Sequence, residues 1–111
     1  MKVRELVLEE RMPTWIEAKS ILDIELKNAK FNKTKCLVIV HGYGSSGVGG
    51  TLKTRTRSYF RNKLSQKAIK TLVYGERFEM YDKDSRDLIL KFPELKEHYN
   101  KGNEGITIVE I

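Results

Sequence analysis

A ten-residue loop rich in glycine carries the side chains of this sequence that are best suited to chemistry. It begins at His41 and reads His-Gly-Tyr-Gly-Ser-Ser-Gly-Val-Gly-Gly, so five of its ten residues are glycine. Glycine leaves backbone N–H groups uncovered, so that a ligand or another backbone can approach them closely. Where such a loop opens onto the N-terminus of a helix, the free N–H groups and the helix dipole favour an anion. The loop therefore predicts an anion-binding site.

A basic helical pattern follows the loop. Five side chains recur on one face and predict a helix over residues 51 to about 67. They are Leu52, Thr56, Tyr59, Phe60 and Leu64. Residues 51–70 include seven basic side chains and no acidic one. Lys53, Arg57 and Arg61 stand at i, i+4 and i+8 along one edge of this helix, and we expect them to contact phosphate groups.

The distribution of charge favours the same kind of partner. The chain of 111 residues has a net charge of +6, from 21 basic and 15 acidic residues. Eleven of the basic residues and none of the acidic ones fall within residues 26–75. Fifty consecutive residues without a carboxylate are hard to explain as an ordinary solvated surface. The pattern indicates a phosphate-rich partner, and we predict nucleic acid, either DNA or RNA.

His41 is the candidate for a catalytic role. It ends an apolar run at the position where open α/β sheets bind ligands. There it can donate to a phosphate or act as a general acid or base. It can equally bond the loop backbone and shape it, and the sequence leaves these alternatives open. Tyr43 can likewise stack on a base or pack over the loop. The predicted nucleic-acid-binding residues are His41, Gly42, Tyr43, Gly44, Ser45, Ser46, Gly47, Lys53, Arg57 and Arg61.

A dinucleotide-binding domain is the alternative for the same loop, because Gly42, Gly44 and Gly47 match the G-x-G-x-x-G pattern. Three features disfavour it. The predicted helix starts several residues after Gly47, the acid that follows, Glu76, lies 29 residues past it, and the chain holds only half of such a fold. A P-loop is disfavoured because Gly50 occupies the position of its lysine.

Composition excludes several other classes. Two distant histidines and one cysteine do not supply the ligands of a structural zinc site, and we predict no metal ligands. Cys36 lies in an apolar run and is interpreted as a core residue. No apolar run approaches the roughly 20 residues that span a bilayer, and no signal peptide is recognisable, so a cytoplasmic protein without membrane contact is expected.

The elements that must position the loop follow from local patterns. Strands are predicted over residues 2–9, 36–40, 71–74 and 106–111. A helix of about four turns begins after Thr14, where Thr14 and Glu17 form a capping-box pattern. Residues 82–104 form a longer connection with a short helix over residues 85–92. The order predicts one α/β domain over residues 1–111, a two-layer sandwich with two main helices against a mixed β-sheet.

These residues resemble the Smr (small MutS-related) domain. Its pattern has a strand ending in His-Gly-x-Gly, a Gly/Ser loop, a helix with basic residues and a final Gly-x-Thr-x-Val strand. Here the two ends of that pattern are residues 41–47 and residues 105–109. The resemblance covers roughly residues 6–111. It implies a fold like the C-terminal domain of translation initiation factor three, nucleic-acid binding and, in some members, endonuclease or nicking activity. A nuclease of this kind would use Mg²⁺ or Mn²⁺, and a binding-only module is the alternative.

The chain departs from the family at the end of the first strand. Many Smr domains carry Leu-Asp-x-His-Gly there, a motif implicated in cleavage and binding. The corresponding residues 6–10 read Leu-Val-Leu-Glu-Glu. A carboxylate at this place repels phosphate unless it holds a metal, for which Glu9 with Glu76 is the candidate pair.

Overall fold

The described residues form four strands and three α-helices. The computed structural model describes residues 2–11, 13–43 and 47–111, without the side chains of Arg11 and residues 47–50. In chain order the elements are β1 (Val3–Val7), α1 (Trp15–Asn32), β2 (Cys36–Val40), α2 (Gly47–Ser65), β3 (Thr71–Tyr74), α3 (Lys83–Lys91) and β4 (Ile106–Glu110). Short 3₁₀ helices cover Glu9–Arg11, Gly75–Arg77 and Pro93–His98.

The strands form one mixed sheet in the order β1-β2-β4-β3. β2 runs parallel to β1, and β4 runs antiparallel to both β2 and β3. β1, β2 and β3 therefore all begin at one edge of the sheet, which we call the amino edge, where β4 ends at Glu110. They end at the opposite carboxyl edge, which holds His41 and the start of β4. The predicted mixed sheet is confirmed.

The two main helices pack on one face of the sheet, as predicted. They bury an apolar cluster that includes Leu22 of α1, Phe60 of α2, and Leu37, Ile39 and Val109 of the sheet. α3 and Pro93–His98 cover the other face, with Val38, Phe78, Leu88, Leu95 and Ile108 in a second cluster. The connection over residues 82–104 therefore packs away from α1 and α2. Cys36 is buried in the second cluster, and burial raises the pKa of its thiol to about 12.

The start of α1 follows its predicted chemistry. The Thr14 hydroxyl accepts from the Glu17 N–H at 3.3 Å, and the Glu17 carboxylate accepts from the Thr14 N–H at 3.0 Å. This is the reciprocal capping box, which satisfies two backbone donors at the helix N-terminus. Lys33 ends α1 in the left-handed conformation, with φ 56°.

Two expectations for the basic helix are wrong. α2 begins at Gly47 instead of residue 51, so three of the loop glycines belong to its first turn. Leu64 is 39 % exposed, although it lies on the face that buries Leu52, Thr56, Tyr59 and Phe60. The reason is length, since a helix of 19 residues is about 28 Å long and a strand of five residues about 17 Å. The last turn of α2 therefore extends past the sheet.

None of the described helices combines the length and the apolar character needed to cross a membrane.

Candidate nucleic-acid interface

Backbone hydrogen bonds attach the start of the glycine loop to the start of β4. The N–H groups of His41 and Gly42 both donate to the Gly105 carbonyl, at 3.0 and 3.1 Å. Gly42 has φ +88°, a conformation that side chains disfavour, and a Cβ there would lie 2.8 Å from the Glu9 carboxylate. A Cβ at Gly105 would lie 3.1 Å from Asn103 Oδ1 and at an ordinary contact distance, 3.5 Å, from the Gly42 backbone. Glycine is therefore required most clearly at position 42, by its φ and by the nearby Glu9 carboxylate.

The His41 ring is enclosed and makes two hydrogen bonds. It is 0 % exposed, with Nδ1 2.9 Å from the Gly42 carbonyl oxygen and Nε2 2.8 Å from Thr107 Oγ1. Because a carbonyl oxygen only accepts, Nδ1 carries the hydrogen, and in the neutral ring Nε2 accepts from Thr107. Burial lowers the His41 pKa to about 4, and the charges of Arg57 and Lys53 act in the same direction. The ring is therefore neutral at pH 7.

Arg57 connects α2 to the same threonine. Its Nε–H donates to Thr107 Oγ1 at 3.0 Å, which sets one direction for the whole chain of bonds, from Arg57 through Thr107 to His41. Both of its terminal nitrogens donate to the Glu76 carboxylate, at 2.8 and 2.7 Å. Further bonds go to the carbonyls of Glu104 and Ile106. This buried chain of hydrogen bonds (Glu76, Arg57, Thr107, His41) joins α2, β4 and the loop.

Tyr74 extends this arrangement to the surface. The Arg57 guanidinium lies over its ring at 4.2 Å, and its hydroxyl accepts from Arg61 at 2.7 Å. Burial acts to raise the pKa of Glu76, but the hydrogen bond from Arg57 and the charges of Arg57 and Lys53 lower it overall. Glu76 is therefore an anion that neutralises Arg57.

A family model described as Smr domain matches residues 11–77, more than half of the chain. The chain belongs to the Smr domain family. The matched part of this Smr domain runs from α1 through the glycine loop and α2 to Glu76 and Arg77. Residues 6–10 precede it, so the match does not test the departure at that motif. No curated protein and no solved structure matches the chain.

The predicted site residues of the Smr domain separate into an inner and an outer group. His41 and Arg57 lie inside, at 0 % and 6 % exposure, and the buried chain connects them. Tyr43 is 66 % exposed, Arg61 is exposed and Lys53 is half-buried. Gly47 is the first residue of α2. Gly42 is buried and bonds to Gly105, and the other three predicted residues, Gly44, Ser45 and Ser46, lie outside the described residues.

Arg57 does not have the geometry expected of a phosphate contact. Its side chain is 7 % exposed, and a carboxylate already binds both terminal nitrogens. His41 has the geometry of the loop-shaping alternative, since both ring nitrogens are engaged within the fold. In this arrangement the polar atoms of both side chains are bonded within the fold.

Sequence reasoning did not single out Thr107, although it is the branch point of the buried chain. The available signal is a polar residue in an apolar strand, within the Gly105-Ile106-Thr107 segment of the family pattern. Glu76, the candidate metal or ribose ligand, is paired with Arg57. The Glu9 carboxylate lies beside Gly42. A metal held by Glu9 and Glu76 would therefore compete with Arg57.

The dinucleotide-binding alternative conflicts with the sheet. In that fold the loop strand and the strand after the next helix are parallel neighbours, whereas β4 lies antiparallel between β2 and β3. One argument used against it was wrong, because α2 does begin at the third glycine, Gly47. The sheet topology is the stronger argument.

Glu5, Glu97 and His98 offer ligand atoms within 4.8 Å of one another, on the sheet face away from α1 and α2. This group is separated by the sheet from the buried chain at His41, and both of its carboxylates are exposed.

Proposed function

We propose that this Smr domain binds nucleic acid through a loop surface made of Tyr43, the N-terminus of α2, Lys53 and Arg61. The observation that carries the proposal is the start of α2 at Gly47, inside the glycine loop itself. The first turn of α2 includes no acidic residue. Free backbone N–H groups at a helix N-terminus favour a phosphate.

Two cations of α2 support this assignment. Lys53 lies close enough for its charge to act on both His41 and Glu76, and it keeps part of its surface exposed. Arg61 is exposed and is held by the Tyr74 hydroxyl. Both can contact phosphate without breaking a buried pair. Tyr43, at 66 % exposure, offers an aromatic face on which a base can stack.

The buried chain supplies rigidity to the loop surface. Glu76 neutralises Arg57, so the contribution of Arg57 is to hold Thr107, and through it the His41 ring, in one orientation. A loop held in its binding conformation loses less conformational entropy when a ligand binds.

These contacts favour binding without cleavage over an endonuclease. A general acid or base must lie within hydrogen-bond reach of the reacting group, and His41 is enclosed with both nitrogens engaged. Incubation of supercoiled plasmid and of RNA with Mg²⁺ or Mn²⁺ tests this part of the proposal. We expect no nicking, and nicking that is lost in a Glu9→Gln variant would contradict it.

The binding itself is tested by fluorescence anisotropy with 20-base-pair duplex DNA and duplex RNA at several salt concentrations. Neutralising phosphates releases counterions, so log K should fall linearly with log salt. In Lys53→Gln/Arg61→Gln we expect a slope that is less steep by about 1.8 on duplex DNA, at about 0.9 per lost contact. Lys96→Gln/Lys101→Gln removes the same charge from exposed positions in the connection over residues 82–104 and should match the wild type. A flat slope for the wild type would refute the proposal.

A further inference from the structure

Six lysines lie together at the amino edge of the sheet, opposite the loop surface. Lys2, Lys35 and Lys70 directly precede β1, β2 and β3. Hydrogen bonds join these three positions. The Lys35 N–H donates to the Lys2 carbonyl at 2.7 Å, and the backbones of Lys35 and Lys70 bond those of Ile111 and Glu110, at the end of β4. The helices return to the same edge. Near their C-terminal ends they contribute Lys30, Lys33 and Lys67.

The lysines of this amino-edge surface are unpaired within the described residues, although Glu5, Glu94 and Glu97 line a surface pocket together with Lys2. All six lysines are exposed, and none forms an ion pair with an acid that the structure describes. Glu110, which lies opposite Cys36 and Thr71 in the sheet register, is 6 % exposed and is paired with Lys91 at 3.0 Å.

Helix electrostatics account for only part of this cluster. Cations near a helix C-terminus are favoured by the helix dipole, which explains Lys30, Lys33 and Lys67. Lys2, Lys35 and Lys70 precede strands, where no such field acts. Like charges placed together destabilise a folded protein unless a partner of opposite charge joins them.

The outer face of α2 connects the amino-edge surface to the loop surface. From the loop to its last residue α2 is about 28 Å long. Its outward side chains are hydroxyls, an amide and guanidinium groups, at Thr54, Arg55, Ser58, Arg61, Asn62 and Ser65. No acidic residue occurs over residues 51–70. At 3.4 Å per base pair, a duplex of about 8 base pairs has the same length.

We propose that the six amino-edge lysines form a second phosphate-contact surface, and that one nucleic-acid duplex lies along α2 and contacts both surfaces. This inference rests on the proposed function, since it adds a contact to the same ligand. It sets a minimum length of about 8 base pairs for full affinity.

The test is the salt dependence of binding to 20-base-pair duplex DNA in Lys35→Gln/Lys70→Gln. We expect a slope that is less steep by about 1.8 than that of the wild type. Lys96→Gln/Lys101→Gln serves as the control of equal charge and should leave the slope unchanged. Both variants change exposed side chains, and thermal unfolding of each should coincide with that of the wild type. If the salt slope of Lys35→Gln/Lys70→Gln equals that of the control variant, the second phosphate-contact surface is overturned.

A quadruple variant separates one duplex on both surfaces from two duplexes on separate sites. If one duplex contacts both, combining the edge changes with Lys53→Gln/Arg61→Gln should reduce the slope by about 3.6, the sum of the two effects. The shared duplex would be overturned by two findings together. One is a stoichiometry of two duplexes per wild-type domain, and the other is a wild-type salt slope in either double variant. If only Lys53→Gln/Arg61→Gln alters the slope, the proposed function stands and this inference fails. A wild-type affinity that does not change with salt would refute both the proposed function and this inference.

Discussion

The Nε–H of Arg57 donates to Thr107 Oγ1 over 3.0 Å, between a helix and a strand that are 50 residues apart in sequence. Because the Thr107 hydroxyl in turn donates to His41, this one contact couples the packing of α2 on the sheet to the orientation of the first loop residue. Changes at Arg57, Thr107 or His41 should therefore alter stability and loop geometry together. Changes at the exposed cations should alter binding alone.

The first prediction concerns Thr107→Val, which keeps the shape of the side chain and removes its hydroxyl. The substitution leaves the Arg57 Nε–H and the His41 Nε2 without this partner in a buried place. Each buried group left unpaired costs about 1–3 kcal/mol, so for two groups we expect a loss of about 2–6 kcal/mol in the free energy of unfolding. Urea denaturation at pH 7 measures it.

Thr56→Val is the matched control for that experiment. Thr56 is also buried, and its Oγ1 has no hydrogen-bond partner among the described residues. Replacing an unpaired buried hydroxyl by a methyl group should be neutral or stabilising. Equal losses of unfolding free energy in the two valine variants would show that the Thr107 hydroxyl stabilises the fold only by filling space and not through its hydrogen bonds.

The second prediction separates a positioning arginine from a phosphate-contacting one. Arg57→Gln breaks a buried ion pair and should destabilise the fold by about 3 kcal/mol, near the lower end for such pairs because Glu76 keeps 31 % exposure. Nucleic-acid affinity should fall, because Arg57 holds the loop. The salt slope should remain that of the wild type, because Arg57 neutralises Glu76 and does not neutralise a phosphate.

Arg61→Gln should behave in the opposite way. Its side chain is exposed, so stability should remain within about 0.5 kcal/mol of the wild type. The salt slope on duplex DNA should become less steep by about 0.9. Denaturation and anisotropy on the same two proteins provide the comparison, and a reduced slope in Arg57→Gln would restore Arg57 as a phosphate contact.

The third prediction is a loss of stability in mild acid that depends on His41. Burial lowers the His41 pKa to about 4, whereas the unfolded chain binds a proton near pH 6.5. Between these values the unfolded state holds more protons, so stability falls as the pH falls, and the change is complete below about pH 4. The loss attributable to His41 should reach about 2 kcal/mol at pH 5 relative to pH 7.

His41→Gln isolates this contribution, because the variant retains every other titrating group. The difference in unfolding free energy between wild type and variant should shrink as the pH is lowered from 7 to 5. A constant difference across that range would mean that the ring is not held neutral.

Local patterns in the sequence were sufficient for most elements. The apolar run of β2, and the Thr14 and Glu17 pair that caps α1, depend on residues close together in the chain. The start of α2 was missed because glycine has a low helix propensity, so a helix that begins at Gly47 was not expected.

The partners of the site residues could not be predicted in the same way. Glu76 meets Arg57, and Thr107 meets His41, only because β4 inserts between β2 and β3. A periodic pattern identified the edge of α2 that carries Arg57. It contained no information on which distant side chains face that edge, so a buried arginine was expected at the surface.

The last prediction compares two glycines with positive φ. Gly42 has φ +88° and Gly102 has φ +62°, and a Cβ at Gly102 would meet nothing within 4 Å. Alanine at Gly102 should cost about 1 kcal/mol, the usual penalty of the left-handed conformation. Gly42→Ala should cost more, because its φ lies further from the left-handed minimum and its Cβ would displace the Glu9 carboxylate from 2.8 Å. Since Gly42 lies in the loop and Gly102 does not, only Gly42→Ala should weaken binding to duplex DNA. Equal affinities of the two alanine variants, measured by anisotropy at one salt concentration, would place the nucleic acid away from this end of the loop.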